Sequence, residues 1–445
     1  MRKIVKLPLI AVFMAFCLLA LMGTAYAGTN GNGDAGTRAN NCEPNGSQVD
    51  QAVCPSLIYA SGSDTTYTMM TQLATLYDQS NGCLVIASPQ PKDLSCVGAP
   101  ITTDDENYYH DVVSNAYPIG SGGGIGDLCS HGLSNVFNAD FARSSRVSIS
   151  SDCTGLHFVA YARDGIAWEC FPGDAGAGCL GKTGTALKPK VHSLTIAQLK
   201  NIYVNCTVTQ WSQIKGTKGV GIDMYVPQAN SGTGVTWAAA LGVSLTAGQA
   251  LTQCIPSGHA GSPGAPGSWV SFENTNAYIH NNGDEINAIF PFSIGVYNTT
   301  YGPNAIYNKG DASDESQLEQ INGVVPSIAN VANQTFPITR LLFNVYCFGD
   351  PSRSNLCGTD PAAPAWVTDF VGENGWICEG EGDHLDLNGN PDINPWGNPA
   401  LPYRDTTATG HVPDNNSLIP QAISSSGFVP LEKQSDGTYC QSFST

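Results

Sequence analysis

Gln228-Ala229-Asn230-Ser231-Gly232-Thr233-Gly234 runs directly into Val235-Thr236-Trp237-Ala238-Ala239-Ala240-Leu241. A turn of small residues feeds an apolar, alanine-rich helix. The first backbone N–H groups of such a helix have no intrahelical partner. Ser231, Gly232 and Thr233 can therefore turn N–H groups and two hydroxyls toward an anion, and Gly232 leaves room for its close approach. The same residues also read as a plain N-cap, with the Ser231 hydroxyl taking a helix N–H. Repetition favours the anion: Gly62-Ser63-Asp64-Thr65-Thr66 and Gly120-Ser121-Gly122-Gly123 are segments of the same kind.

The two ends of this reading are bounded by composition. Arg2, Lys3 and Lys6 precede an apolar run from Leu7 to Met22, and Ala25-Tyr26-Ala27 stands before Gly28. That is the layout of a secretory signal, residues 1–27, cut after Ala27. The alternative, a retained membrane anchor, would need a longer run. Cys17 lies inside the run without the small-residue pattern of a lipid-attachment site. The expected location is extracytoplasmic, periplasmic or secreted. The formal charge is −18 over 445 residues, and the signal removes only basic residues, so the mature chain is more acidic still. Such a surface disfavours nucleic acid and anionic membranes as partners. Any anion has to be held by local dipoles and a few chosen arginines.

Of 15 cysteines, Cys17 leaves with the signal, and the even remainder in an exported chain reads as disulfides. No CxxC pair or histidine cluster competes for a metal, and no cofactor is expected. Neighbours closing short loops are the simplest pairing: Cys42/Cys54, Cys83/Cys96, Cys129/Cys153, Cys170/Cys179 and Cys347/Cys357. Cys206/Cys254 and Cys378/Cys440 remain as longer bridges.

Along the chain, Gly28 to Asn41 reads as a flexible leader. Leu57-Ile58-Tyr59-Ala60 reads as a buried strand, and Ser61–Asp64 as turn and N-cap for a helix carrying Met69, Met70, Leu73, Leu76 and Tyr77 at helical spacing. Val136–Ala142 and His157–Ala162 read as strands. Thr195-Ile196-Ala197-Gln198 is a capping box opening a helix through Leu199, Ile202 and Tyr203. Leu341–Tyr346 reads as a strand and Trp366–Val371 as a helix. Strands alternating with helices predict an α/β architecture with largely parallel sheets. Gly358–Pro364 and Glu379–Pro402 read as surface insertions.

These segments, with Ala142-Arg143-Ser144-Ser145-Arg146, Phe158–Asp164, Leu194–Tyr203, Trp211, Ile289–Gly295, Pro337-Ile338-Thr339-Arg340 and Gly427–Pro430, resemble in kind and order the extracytoplasmic phosphate-binding proteins that feed ABC transporters. The resemblance runs from about Ser56 to Leu431. It implies a two-lobed α/β chain of the type II periplasmic-binding fold carrying disulfide-bearing loop insertions. After the leader, 28–47, one lobe would comprise residues 48–157 and 296–445, and the other 158–295. The chain would cross near Tyr161 and Phe292. By position, Thr65, Thr66, Ser121, Gly122, Ser145, Ser231, Gly232 and Thr233 fall where the family touches phosphate. The implied protein is a non-enzymatic monomer that hands phosphate to an ABC transporter permease.

Two departures stand out. Pro227 and Gln228 occupy the place of the family's usual arginine, and Ser145 that of an aspartate. Arg146 could supply the positive fork and Asp64 the carboxylate, each with a structural alternative: a surface arginine and a helix cap. Three rivals remain open. Gly120-Ser121-Gly122 lacks the GxSxG order of a hydrolase elbow. The acidic loop Asp383–Asp392 is oxygen-rich but lacks EF-hand spacing. The chain could also be a secreted scaffold, or a binder of another oxyanion, that keeps the fold without phosphate transport.

Overall fold

The computed structural model describes residues 57–80, 111–118, 120–129, 140–172, 177–179, 191–273, 275–300, 316–347, 365–373, 375–379, 418–432, 434 and 439–444. The signal, the leader, the strand residues Val136–Ala139, the acidic loop and nearly all of both proposed insertions lie outside them.

The chain begins with β1 (Leu57–Gly62), α1 (Tyr67–Ser80), β2 (Asp111–Pro118), α2 (Ser121–Cys129), β3 (Phe141–Ser144) and the long β4 (Leu156–Cys170). Next come β5 (Ser193–Leu194), α3 (Ile196–Tyr203), β6 (Asp223–Met224), β7 (Val226–Pro227), α4 (Gly232–Ala240), β8 (Val270–Ser271), α5 (Ala277–Asn282) and β9 (Ala288–Ser293). Then follow α6 (Ile294–Thr300), β10 (Gln317–Ile321), α7 (Ile328–Ala332), β11 (Thr339–Cys347), α8 (Ala365–Val371), α9 (Trp376–Glu379), α10 (Leu418–Ser425), β12 (Val429–Pro430) and β13 (Gln441–Ser444).

β4 organises the molecule. Along its 15 residues only Arg163 is less than buried, which its run of apolar and small side chains allows. Its first part pairs antiparallel with β11, from Cys347 opposite Leu156 to Thr339 opposite Gly165. Its second part pairs with β9, starting at Ile166 opposite Ser293, and then with β10. β4 thus exchanges partners at Gly165–Ile166, a few residues beyond Tyr161. A Cβ on Gly165 would stand 2.7 Å from both Ile294 Cδ1 and Val331 Cγ2. Glycine lets α6 and α7 close over the exchange point.

The sheet order is β2-β1-β3-β11-β4-β10-β5. The expectation of largely parallel sheets needs correcting. β1 is parallel to β2 and β3, but every strand that pairs with β4 runs antiparallel to it. A crossing strand shared by both lobes meets returning chain on each side, and the alternation of strands and helices does not reveal that.

Local signals fare better. α3 has both halves of the capping box, Gln198 N donating to Thr195 Oγ1 at 3.1 Å and Thr195 N to Gln198 Oε1 at 2.9 Å. Its Leu199, Ile202 and Tyr203 are buried. Trp168, Trp211 and Trp237 lie in one core; the first two donate their indole N–H to Gln320 O and Asn287 O. A second cluster, including Ile125, Leu128, Phe158 and Phe343, fills the space under α2.

Among the described residues four disulfides are present, Cys129–Cys153, Cys170–Cys179, Cys206–Cys254 and Cys378–Cys440, all among the expected pairs. Each contributes about 2–4 kcal/mol by restricting the unfolded chain. The pairs Cys42/Cys54 and Cys83/Cys96, and Cys357, fall outside the described residues.

Candidate anion-binding cleft

α4 begins as its sequence implies. Ser231 is an extended N-cap whose hydroxyl accepts from Gly234 N at 2.9 Å. Asn230, just before it, adopts a left-handed φ of 66°, so the turn aims the helix N-terminus at the opposite lobe. There it meets the other two small-residue turns. Gly122 N donates to Asn230 O at 2.8 Å. Gly232 packs so tightly that a Cβ there would collide with Ser145 Oγ and Ser121 Oγ.

On the facing lobe, hydroxyls cluster. Ser63 Oγ donates to Ser145 Oγ at 3.0 Å, Ser121 and Ser145 hydroxyls lie 3.2 Å apart, and Ser145 N donates to Ser121 Oγ at 2.9 Å. Thr65, Ser121, Ser145, Ser231 and Thr233 are all buried. The chain therefore brings together hydroxyls from four separate segments at one dry junction.

Arg340, on β11, is the hub. Its Nη1 donates to Thr233 Oγ1 at 2.9 Å and to Ser145 O at 3.3 Å; its Nη2 donates to Thr65 Oγ1 at 3.2 Å. Nε and Nη2 both reach Asp164 Oδ2, at 3.1 and 2.8 Å. Asp164 also accepts from Gly295 N at 3.1 Å, so the arginine is anchored to the exchange point of β4. One guanidinium thus touches the first turn, the α4 turn and the point where β4 exchanges partners.

A carboxylate that the sequence reading did not single out completes the arrangement. Glu273 is fully buried. Its Oε2 accepts from Ser231 Oγ and, at 3.0 Å, from Thr233 N; its Oε1 accepts from Thr65 Oγ1 at 3.2 Å. These are hydroxyl and N–H groups that the α4 turn and the first turn offer to an anion.

Asp64 is not a helix cap. Its Oδ1 accepts from Gly120 N at 3.0 Å and its Oδ2 from Gln228 Nε2 at 3.2 Å, which ties the first lobe to the place of the missing family arginine. Burial, reinforced by the charge of Glu273, pushes its carboxyl up to about 8 against the opposing pull of Gly120 N and Arg143. Arg143 is also buried, its Nε donating to Ser63 O at 3.4 Å and its guanidinium lying 5.3 Å from the Tyr67 ring centre. Burial lowers its guanidinium to about 10.

Arg146, buried next to Ser145, pairs locally. Its Nη1 and Nη2 grip Asp152 at 2.7 and 2.8 Å, and Nη1 also donates to Val147 O. The fork expected for the cleft is committed to a local loop. Thr66 turns back as well, donating to Ser63 O at 3.4 Å at the start of α1. Among the described residues, no group of three or more His, Cys, Asp or Glu side chains is placed to hold a metal.

No family model matches the chain, and no curated protein matches it. Solved structures do. The ABC-type phosphate transport receptor from Vibrio cholerae is 21% identical, with 65% of this chain and 86% of that chain covered and a TM-score of 0.39. A putative phosphate ABC transporter substrate-binding protein with bound phosphate from Clostridium perfringens is 20% identical, with coverage of 65% and 86% and a TM-score of 0.41. A periplasmic phosphate-binding protein, PfluDING, is 12% identical, with coverage of 84% and 90% and a TM-score of 0.42. The chain is similar, distantly in both sequence and superposition, to these phosphate receptors and phosphate-binding proteins.

Proposed function

We propose that the protein is an extracytoplasmic solute-binding protein that captures an oxyanion, inorganic phosphate first among them, between two lobes and delivers it to an ABC transporter permease. It acts by binding and release and catalyses no reaction. The observation that carries the reading is the junction of Ser231, Gly232 and Thr233 with Thr65, Ser121, Ser145 and Arg340. Donors from opposite lobes converge there, out of water. Hydroxyls and N–H groups suit a tetrahedral oxyanion, and Arg340 adds a charged donor.

In this reading the lobes are residues 48–157 with 296–445, and 158–295, and β4 and β9 form the hinge. The mature protein is a monomer, periplasmic or secreted. Calorimetry of the mature protein against phosphate, sulfate, arsenate and molybdate tests it. Saturable binding of phosphate and of its near-isostere arsenate is expected; a protein that binds none of the four is not an oxyanion receptor.

One observation favours a second reading, a fold kept as a secreted scaffold or for another oxyanion. Glu273 already satisfies donors at the α4 N-terminus. A scaffold would give no saturable heat with any of the four anions.

A further inference from the structure

Glu273 does at this junction what a bound anion would do. One oxygen takes the Ser231 hydroxyl and the Thr233 N–H; the other takes the Thr65 hydroxyl from the opposite lobe. A carboxylate presents two acceptor oxygens on one edge, as phosphate does, and the partial positive charge of a helix N-terminus favours both. The same Thr65 hydroxyl also accepts from Arg340, as does the hydroxyl of Thr233, whose N–H meets Glu273. The carboxylate therefore lies within a net of donors running from lobe to lobe.

We propose that Glu273 is a built-in anion: its carboxylate occupies the anion position of the cleft, latches the two lobes through Thr65, Ser231 and Thr233, and has to be displaced by an incoming oxyanion. The proposal rests on the reading of the cleft as an oxyanion site.

Three observations bear on it. Asp64, buried beside the same junction, is raised by burial first and then by the proximity of Glu273, so the surroundings disfavour two negative charges side by side. Arg340 is largely answered by Asp164, leaving little spare positive charge to hold two anions side by side. A displaced carboxylate also has somewhere to go. A cavity of about 480 Å³ begins at Asp64 and Thr65 and is walled by Phe272 and Thr275, close to Glu273 in the chain, with the hydroxyl-bearing Thr68 and Thr299 along its sides.

An internal competitor weakens an external ligand by the fraction of time it holds the site. The experiment compares the mature wild-type chain with Glu273→Ala and with Glu273→Gln, which keeps the volume and removes the charge. Small-angle scattering without added anion should show a larger radius of gyration for both variants, because the latch is gone. Calorimetry with inorganic phosphate should show tighter binding to Glu273→Ala, by about tenfold or more, within the usual range of coupling between sites. An unchanged radius of gyration in both variants would overturn the latch, and weaker phosphate binding would make Glu273 a ligand rather than a rival. If neither protein binds any of the four anions, the function proposed above fails, and scattering alone decides the role of Glu273.

Discussion

Gly232 stands where no side chain fits, its hypothetical Cβ colliding with the hydroxyls of Ser121 and Ser145 on the facing lobe. Overpacking of this kind costs about 1–3 kcal/mol, and under the proposed hinge motion only the closed arrangement incurs it. Gly232→Ala should therefore weaken phosphate binding about ten- to hundredfold, at 1.4 kcal/mol per decade, with little change in melting temperature. Calorimetry checks this, and an unchanged affinity would mean that the turns do not meet when ligand binds. Asp64 offers a second residue-level test. Its carboxyl rises from an ordinary value of 3.8 to about 8 in the folded protein, so the folded state holds a proton that the unfolded state has released between those limits. A raised carboxyl lowers stability progressively as pH rises through that window. Asp64→Asn, which mimics the protonated form and can pair with Gln228 through either end of its amide, removes the penalty. The melting-temperature difference between variant and wild type should grow in the variant's favour from pH 4 to pH 8. A flat difference would show that Asp64 is ionised throughout.

At the scale of elements, what the sequence revealed was local. The N-cap of α4 and the capping box of α3 can each be read from a few adjacent residues, because the donor and acceptor lie within one turn. Thr195→Ala should accordingly cost about 1 kcal/mol of stability and leave phosphate affinity untouched, as a denaturant titration and calorimetry together can check. What escaped the sequence was long-range. Arg340 reaches Ser145 O across 195 positions of chain, and Thr65 reaches Glu273 across 208. Glu273 stands among Ser, Trp, Val and Phe with no periodic or motif signal around it, and only the pairing of β7 with β8 carries that stretch to the cleft. Arg146 shows the converse. It is adjacent to Ser145 in sequence, but Asp152, six positions on, captures it. The antiparallel character of β4 was equally hidden, since partner direction depends on where the chain returns. The hydroxyls and N–H groups of the candidate cleft, and Asp64 among them, were thus legible; Glu273 and the long reach of Arg340 were not.

At the scale of the whole molecule, five buried or part-buried carboxyls among the described residues share one direction. Burial raises Asp64 and Glu319 to about 8, Glu169 to about 7, and Asp127 and Asp223 to about 6. In the unfolded chain all five titrate near 4. Between about pH 4 and pH 8 the folded protein therefore binds more protons than the unfolded one, and stability falls as pH rises across that range. The melting temperature of the mature protein should be higher at pH 5 than at pH 8. The acidic surface acts in the same sense, because a formal charge of −18 repels itself more strongly as pH rises. Salt separates the two causes. At about 1 M ionic strength the Debye length is about 3 Å, which screens exposed charges from one another but does not reach carboxyls enclosed in the fold. If burial dominates, the downward slope with pH persists in 1 M sodium chloride; if surface repulsion dominates, it flattens. A melting temperature that instead climbs from pH 5 to pH 8 would mean that these carboxyls are ionised in the fold, held by partners stronger than Gly120 N for Asp64, Ser61 for Asp127 and Asn276 for Glu169.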